Sequence, residues 1–356
     1  MEHTYFLIPS PMTLWSLTGI MGLVLVLPFV SHKIERNLEV FLFVMGTLSV
    51  TASRLWRPHL IREALVEPIM ITIAVLVFGL VFYFLRYKLV SAIDSITKKI
   101  RLPLFFGLVV AILGFFSSVI TAIIASLILV EIVSALRLDK QVETRLVIIA
   151  CFAIGIGAVL TPIGEPLSTI AIAKLRGEPH NADFWFLFRH LIKYVAPIVF
   201  ILAVGSAFLH GHKVRKRESL SEEKPESILG VLIRAGKVYI FVMALVLLGT
   251  GFRPVIDVYI IKLPAWSLYW INTVSAILDN ATLTAAELSP QMDLEDIKAI
   301  LMGLLFAGGM LIPGNIPNII SAGKLHITSK DWAKLGIPLG LVIMLVYFGL
   351  IFGLKW

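Results

Sequence analysis

The 356-residue sequence is 58% hydrophobic and only 15% charged, with a mean hydropathy of +0.93. Soluble domains carry roughly one-quarter charged residues, so an ordinary soluble globular protein is excluded. The net charge of +8 is read as basic loops retained on one side of a membrane, not as nucleic-acid binding, and the single cysteine, Cys151, excludes an intrachain disulfide.

Met1 to Ser10 has no basic n-region, so the first apolar run is expected to be a retained span and not a signal peptide. Simple spans are expected at Thr13 to Val30, Leu38 to Ala52, Pro68 to Leu85, Leu191 to Leu209, Val238 to Gly251 and Leu335 to Leu354. Four other segments are less simple. Leu102 to Ala135 is 34 residues with one charge, Glu131, and a straight helix of that length would run about 51 Å, too long for one crossing. It must bend back or break. Ser117, Ser118 and Thr121 near its middle suit the tip of a re-entrant hairpin over 102–136. A second hairpin is expected over 263–288, with Asp279, Asn280, Thr282 and Thr284 in its second half.

Each hairpin precedes an interrupted apolar stretch. The first, a broken helix over 146–174, contains Thr161-Pro-Ile-Gly-Glu-Pro166; the second, over 299–324, contains Pro313-Gly-Asn-Ile-Pro-Asn318. Each proline removes a backbone donor and clashes with the preceding turn. In lipid the freed carbonyls cost several kcal/mol unless they face protein or an ion. One such motif reads equally as a kinked helix with no ligand; two, each after a polar-tipped hairpin, favour a site. Thr161 to Leu175 aligns without gaps on Leu311 to Leu325, matching Gly164 with Gly314, Ile170 with Ile320, Lys174 with Lys324 and Leu175 with Leu325. The expected organisation is an all-α polytopic membrane protein. Two N-terminal scaffold spans (1–67) precede a first repeat (68–209), a charged cytoplasmic linker (210–228) and a second repeat (229–356).

With both termini outside, the cytoplasmic loops carry twice the Lys and Arg of the outer ones. The first hairpin then enters from the cytoplasm and the second from outside. Inverted repeats whose broken helices meet near the midplane are a pattern of secondary transporters.

Intramembrane acids are few: Glu131, Glu165, Asp279 and Glu287, with Glu39 at the start of a span. A buried carboxylate costs about 2.5–3.5 kcal/mol on insertion scales, so it pairs, protonates or lines a polar cavity. Glu165 sits in a break, where unwound carbonyls and a half-helix end can help hold a cation; pairing with a lysine or capping the second half-helix are its structural alternatives. Asp279 is the second charged candidate, with Asn280, Thr282 and Thr284 as neutral oxygen donors, and an N-cap role is its alternative. Thr161, Ser117, Ser118, Thr121 and Ser168 supply hydroxyls in the first half, where close helix packing is equally open. Asn315 and Asn318 replace Glu165 and Ser168 in the second break, so the site is asymmetric. Glu131 and Glu287 read as interfacial anchors, with a proton-relay role as the alternative. No HExxH, GxGD or DDxxD pattern is present, so no enzyme activity and no cofactor are expected.

At these motifs the sequence resembles the ion transporter superfamily. TPIGEPLST (Thr161 to Thr169) resembles the SPIGD-type motif of NhaD-type sodium/proton antiporters and the TPIGS-type motif of arsenite permeases. DNATLTAAEL (Asp279 to Leu288) resembles the DNVP-type segment of the former and, more loosely, the SNTAT hairpin tips of sodium-coupled dicarboxylate transporters. The resemblance covers roughly Leu102 to Leu354 and extends to a prokaryotic group described as predicted cation transporters. It implies a prokaryotic inner-membrane homodimer with a scaffold and a mobile transport domain, moving by an elevator-type mechanism. Glu165 takes the aspartate position of the antiporter motif, and Asp279 and Asn280 take its DN pair, which implies Na+ (or Li+ or K+) at Glu165, Asp279 and Asn280 in exchange for H+. Antiporter relatives carry an acid in the first hairpin, where this chain has Ser117 and Ser118. Arsenite-type relatives have a neutral residue where Glu165 stands. The expected function is therefore cation transport, with an anion carrier for arsenite, citrate or a dicarboxylate as the alternative.

Overall fold

The computed structural model describes residues 10–31, 33–34, 37–136, 138–209, 228–255, 258–259, 263–273, 278 and 280–354, and among them every regular element is a helix. Seven helices are long and apolar enough to cross a membrane, as a polytopic membrane protein requires. The chain begins with α1 (Pro11–Val30), α2 (Leu38–Ala52), α3 (Pro58–Lys99), α4 (Leu102–Ile120), α5 (Ala122–Leu136), α6 (Lys140–Ala158) and α7 (Pro166–Leu175). It continues with α8 (Phe186–Ala207), α9 (Ile228–Val255), α10 (Ala265–Ile271), α11 (Asn280–Glu287), α12 (Leu294–Gly308), α13 (Ile316–Leu325) and α14 (Ser329–Phe348). Asp279 and the linker at 210–227 lie outside the described residues, as does the side chain of Thr282.

Local chemistry sets several helix starts. The Ser10 hydroxyl accepts the Thr13 amide at 3.2 Å, and Pro11 takes a first-turn position where its missing donor costs nothing. Asp139 caps α6 through the amides of Gln141 and Val142, and Thr328 caps α14 through that of Asp331. One expected span is corrected in length. The run Pro68 to Leu85 lies inside a single 42-residue helix, α3, which rises about 63 Å. Charges beyond Leu85 mark a change of solvent but do not stop a helix, and residues 86–99 contain neither glycine nor proline.

Two groups of helices follow from side-chain size and polarity. In the first, α2 and α9 cross so closely that a Cβ on Gly46 would lie 2.8 Å from that of Leu247, and one on Gly251 would lie 2.0 Å from Ser49 Oγ. The Ser53 hydroxyl donates to the Gly251 carbonyl at 2.6 Å, and Lys237 pairs with Glu39 at 2.9 Å. Small residues and interhelical polar bonds of this kind hold helices together where lipid offers no hydrophobic drive. α3 packs along α9, and α1 along α2. In the second group α6 and α12 are innermost: residues 150–158 and 297–308 are buried without interruption, as expected of helices apolar all round.

The packing partners follow a regular scheme. α4 lies against α6 and α8, while α10 lies against α12, and α12 against α14. The 10-residue helices α7 and α13 rise about 15 Å each, half the hydrocarbon thickness. α7 packs on α11, and α13 packs on α5. Each half-length helix thus rests on an element from the other half of the chain.

Candidate functional site

The two interruptions expected from proline spacing are present and share one backbone path. Each spans seven residues, 159–165 and 309–315, between a buried helix and a half-length one. Glu165 has φ −158° and ψ 160°, and Asn315 has φ −154° and ψ 148°. The Gly164 amide donates to the Thr161 carbonyl at 3.2 Å, and the Gly314 amide to that of Leu311 at 3.2 Å. The amides of Ser168 and Asn318 bond the carbonyls of Glu165 and Asn315 at 3.2 and 3.1 Å.

The first break is joined to the turn between α4 and α5. The Thr161 hydroxyl donates to the Ser118 carbonyl, and the Ala122 amide donates to the Gly164 carbonyl at 2.9 Å. The turn itself falls at Thr121, with φ 77° and ψ 149°, the last of the three polar residues expected at the tip. A β-branched residue in that region carries about 1–3 kcal/mol of strain. It is held by the Ala122 bond and by its own hydroxyl, which accepts the Ile124 amide at 3.3 Å.

Ser117 and Ser118 are buried, but their hydroxyls serve packing. Ser117 Oγ lies 2.7 Å from the Gly114 carbonyl and 2.9 Å from that of Ile154 on α6, and Ser118 Oγ donates to the Phe115 carbonyl at 2.8 Å. Ser168 is directed at the Val159 carbonyl, 3.3 Å away. Glu165, 8% exposed, occupies the N-cap position of α7, yet its side chain makes no hydrogen bond to the first-turn amides. The capping alternative for Glu165 is thereby corrected: the backbone takes the position while the carboxyl is aimed elsewhere.

The second break is built from amides. Asn318 Nδ2 donates to the carbonyls of Gly308 and Leu311, both at 2.9 Å. Asn280, at the start of α11, lies over the same glycine: a Cβ on Gly308 would fall 2.6 Å from Asn280 Nδ2 and 3.1 Å from the Gly314 carbonyl oxygen. The Thr284 hydroxyl donates back to the Asn280 carbonyl at 2.8 Å. Asn280 Oδ1, Asn280 Nδ2 and Asn318 Oδ1 are buried with no hydrogen-bond partner among the described residues. Each such group costs about 1–3 kcal/mol unless a ligand satisfies it.

The halves meet through α6. Asn315 Nδ2 lies 2.4 Å from where a Gly155 Cβ would stand, and the Cys151 thiol reaches Ser321 Oγ at 3.3 Å. Trp332 Nε1 donates to the Gly309 carbonyl at 3.1 Å, fixing the second break from α14. Among the described residues no three of His, Cys, Asp and Glu gather as a metal site. The first break offers the Glu165 carboxylate, and the second offers the amides of Asn280 and Asn318 and carbonyls such as that of Gly314, oxygens of the hard kind that alkali cations take.

Composition alone did not point to two features. Gly308 is the point on which Asn280 and Asn318 converge, signalled in sequence only by its place at the end of an apolar run. Glu287, expected at an interface, is instead 1% exposed inside the protein. Residues 14–354 match a family model described as a protein of unknown function (DUF1646). No curated protein matches the chain.

Proposed function

The chain belongs to the DUF1646 family, matched over nearly its whole length, and we propose that it is a secondary active cation transporter exchanging Na+ for H+ by alternating access. The observation that carries this reading is the pair of breaks with equal backbone geometry, at Glu165 and Asn315. One break holds a carboxylate and the other holds buried amide atoms without partners among the described residues. Irregular backbone in a membrane persists where it lines a site, and breaks of this kind form the ion sites of transporters built from inverted repeats. On this reading 68–209 and 229–356 are inverted repeats, 102–136 and 263–288 are re-entrant hairpins, and a homodimeric scaffold carries an elevator-type transport domain. The orientation that fits the Lys and Arg distribution places both termini outside a prokaryotic inner membrane.

On this reading Glu165 is the charged ligand, Asp279 and Asn280 are its co-ligands, and a proton and a cation compete for the carboxylates. The test is dequenching of a pH-sensitive dye in proteoliposomes on addition of Na+, Li+ or K+, for wild type and Glu165→Gln. Cation-triggered proton movement in wild type, lost in the variant, supports the reading; proton movement that persists in the variant removes Glu165 from it. A second reading has its own observation: α7 and α13 both begin at the breaks, and Asn315 at one of these N-termini is neutral. Helix N-termini bind anions, so silence with every cation and sodium-dependent uptake of arsenite, citrate or a dicarboxylate would select an anion carrier.

A further inference from the structure

We infer that Trp332 is a positioning residue for the ion site: it holds a carbonyl whose counterpart in the first break is held by the half-length helix, and so leaves the Asn318 side-chain oxygen for a cation. The inference rests on the cation-transport reading. Superposing the breaks residue on residue pairs Ser168 with Asn318 and, just before them, Val159 with Gly309. Val159 has φ −63° and ψ −22°, and Gly309 has φ −76° and ψ −19°, so their carbonyls leave the ends of α6 and α12 on the same local path. In the first break the Ser168 hydroxyl, on α7, is directed at the Val159 carbonyl at 3.3 Å. In the second the Gly309 carbonyl accepts instead from Trp332 Nε1, on α14, at 3.1 Å.

Asn318 is used differently from Ser168. Both protons of its amide nitrogen go to carbonyls, those of Gly308 and Leu311, and its Oδ1 is buried with no partner among the described residues. The amide has no third proton for Gly309. Without another donor there, one of its two bonds would have to be exchanged and the amide would turn, carrying Oδ1 out of place, because a buried carbonyl left unpaired is costly. The Trp332 indole removes that demand, and its placement is specific. A Cβ at position 309 would stand 2.4 Å from the Phe152 ring on α6, so this position takes glycine where the first break has Val159. A Cβ on Gly336 would stand 2.4 Å from the Met310 carbonyl oxygen, and one on Gly340 would stand 2.5 Å from the Met310 side chain. α14 thus lies directly on the break along Trp332, Gly336 and Gly340, with a fully buried indole aimed at Gly309.

The experiment is thermal unfolding of the full chain in detergent against rising NaCl, LiCl or KCl, with choline chloride holding the ionic strength. A cation bound by the folded protein raises the melting temperature, and the concentration giving half of the rise reports affinity. Trp332→Phe keeps a ring and loses the N–H; it should raise that concentration about fivefold, the effect of one hydrogen bond on an equilibrium. Gly336→Ala, which pushes against the indole and the Met310 carbonyl, reads the same displacement where Trp332→Phe does not fold. Asn318→Ser, which brings the first break's residue to the second, should raise the concentration too. Adding Trp332→Phe to Asn318→Ser should raise it no further, because the indole acts through the asparagine. Tyr347→Phe removes another buried donor of α14, the hydroxyl 2.6 Å from the Tyr194 carbonyl, and should lower the melting temperature with the half-saturating concentration unchanged. If Trp332→Phe behaves as Tyr347→Phe does, or if its effect persists undiminished in Asn318→Ser, the inference is overturned and the transport reading stands. A wild type that none of the three cations stabilises overturns both.

Discussion

The crossing of α4 and α6 carries the first break, and Gly157 sets its distance. A Cβ at position 157 would stand 1.8 Å from the Gly114 carbonyl oxygen and 3.1 Å from Ser117 Oγ. Close carbon–oxygen contacts settle near ~3.3 Å, so Gly157→Ala must open the crossing by about 1.5 Å, taking 3.3 Å as that limit. That motion breaks the 2.9 Å bond from Ser117 to the Ile154 carbonyl, at about 1 kcal/mol. Strain in a packed interior adds about 1–3 kcal/mol, for a total of about 2–4 kcal/mol. The assay is thermal unfolding of purified protein in detergent, with Gly205→Ala as control, since nothing lies within 4 Å of a Cβ there. The variant should melt about 4–8 °C lower, at roughly 2 °C per kcal/mol for a long chain. The control should hold or rise slightly, because alanine is the better helix former. Equal melting of Gly157→Ala and Gly205→Ala would refute the close-crossing argument.

Two further substitutions test the break geometry. Thr121→Gly should stabilise by about 1 kcal/mol, because relief of a φ of 77° outweighs the lost hydroxyl cap and the freedom glycine adds to the unfolded chain; a lower melting temperature would show that the threonine cap dominates. Asn318→Ala leaves the Gly308 and Leu311 carbonyls without their side-chain donor and should cost about 2–4 kcal/mol, read by the same unfolding assay. Unchanged stability there would mean that those carbonyls find other donors.

The halves of the site differ in how much of their chemistry is committed to structure. In the first, the hydroxyls of Thr161, Ser117, Ser118 and Ser168 all point at main-chain carbonyls, which leaves Glu165 as the side chain with chemistry to offer. In the second, Asn280 and Asn318 retain atoms with no partner among the described residues.

Hydropathy and proline placement were enough to recover the membrane-spanning helices and both breaks, because lipid offers a backbone polar group no water, so it bonds within its helix unless protein or a ligand satisfies it. A run of apolar residues must then be a helix, and Pro162 with Pro166, or Pro313 with Pro317, must end one. The sequence also singled out Glu165, Asn280 and Asn318, since a polar side chain in such a run demands a reason. It began the third span at Pro68, ten residues inside α3, whose apolar stretch runs from Pro58 to Leu85. It placed the first turn among Ser117, Ser118 and Thr121 but could not choose between them, because a strained φ leaves no compositional trace. Which surfaces meet lay beyond it altogether. That Thr161 donates to Ser118, that Asn280 and Asn318 share Gly308, that Lys324 lies near Glu131 and that Lys174 donates to the Leu288 carbonyl are outcomes of packing between segments far apart in the chain. Those contacts were decided in three dimensions because pairwise fit of side chains, unlike solvation, depends on a neighbour that no local stretch of sequence contains.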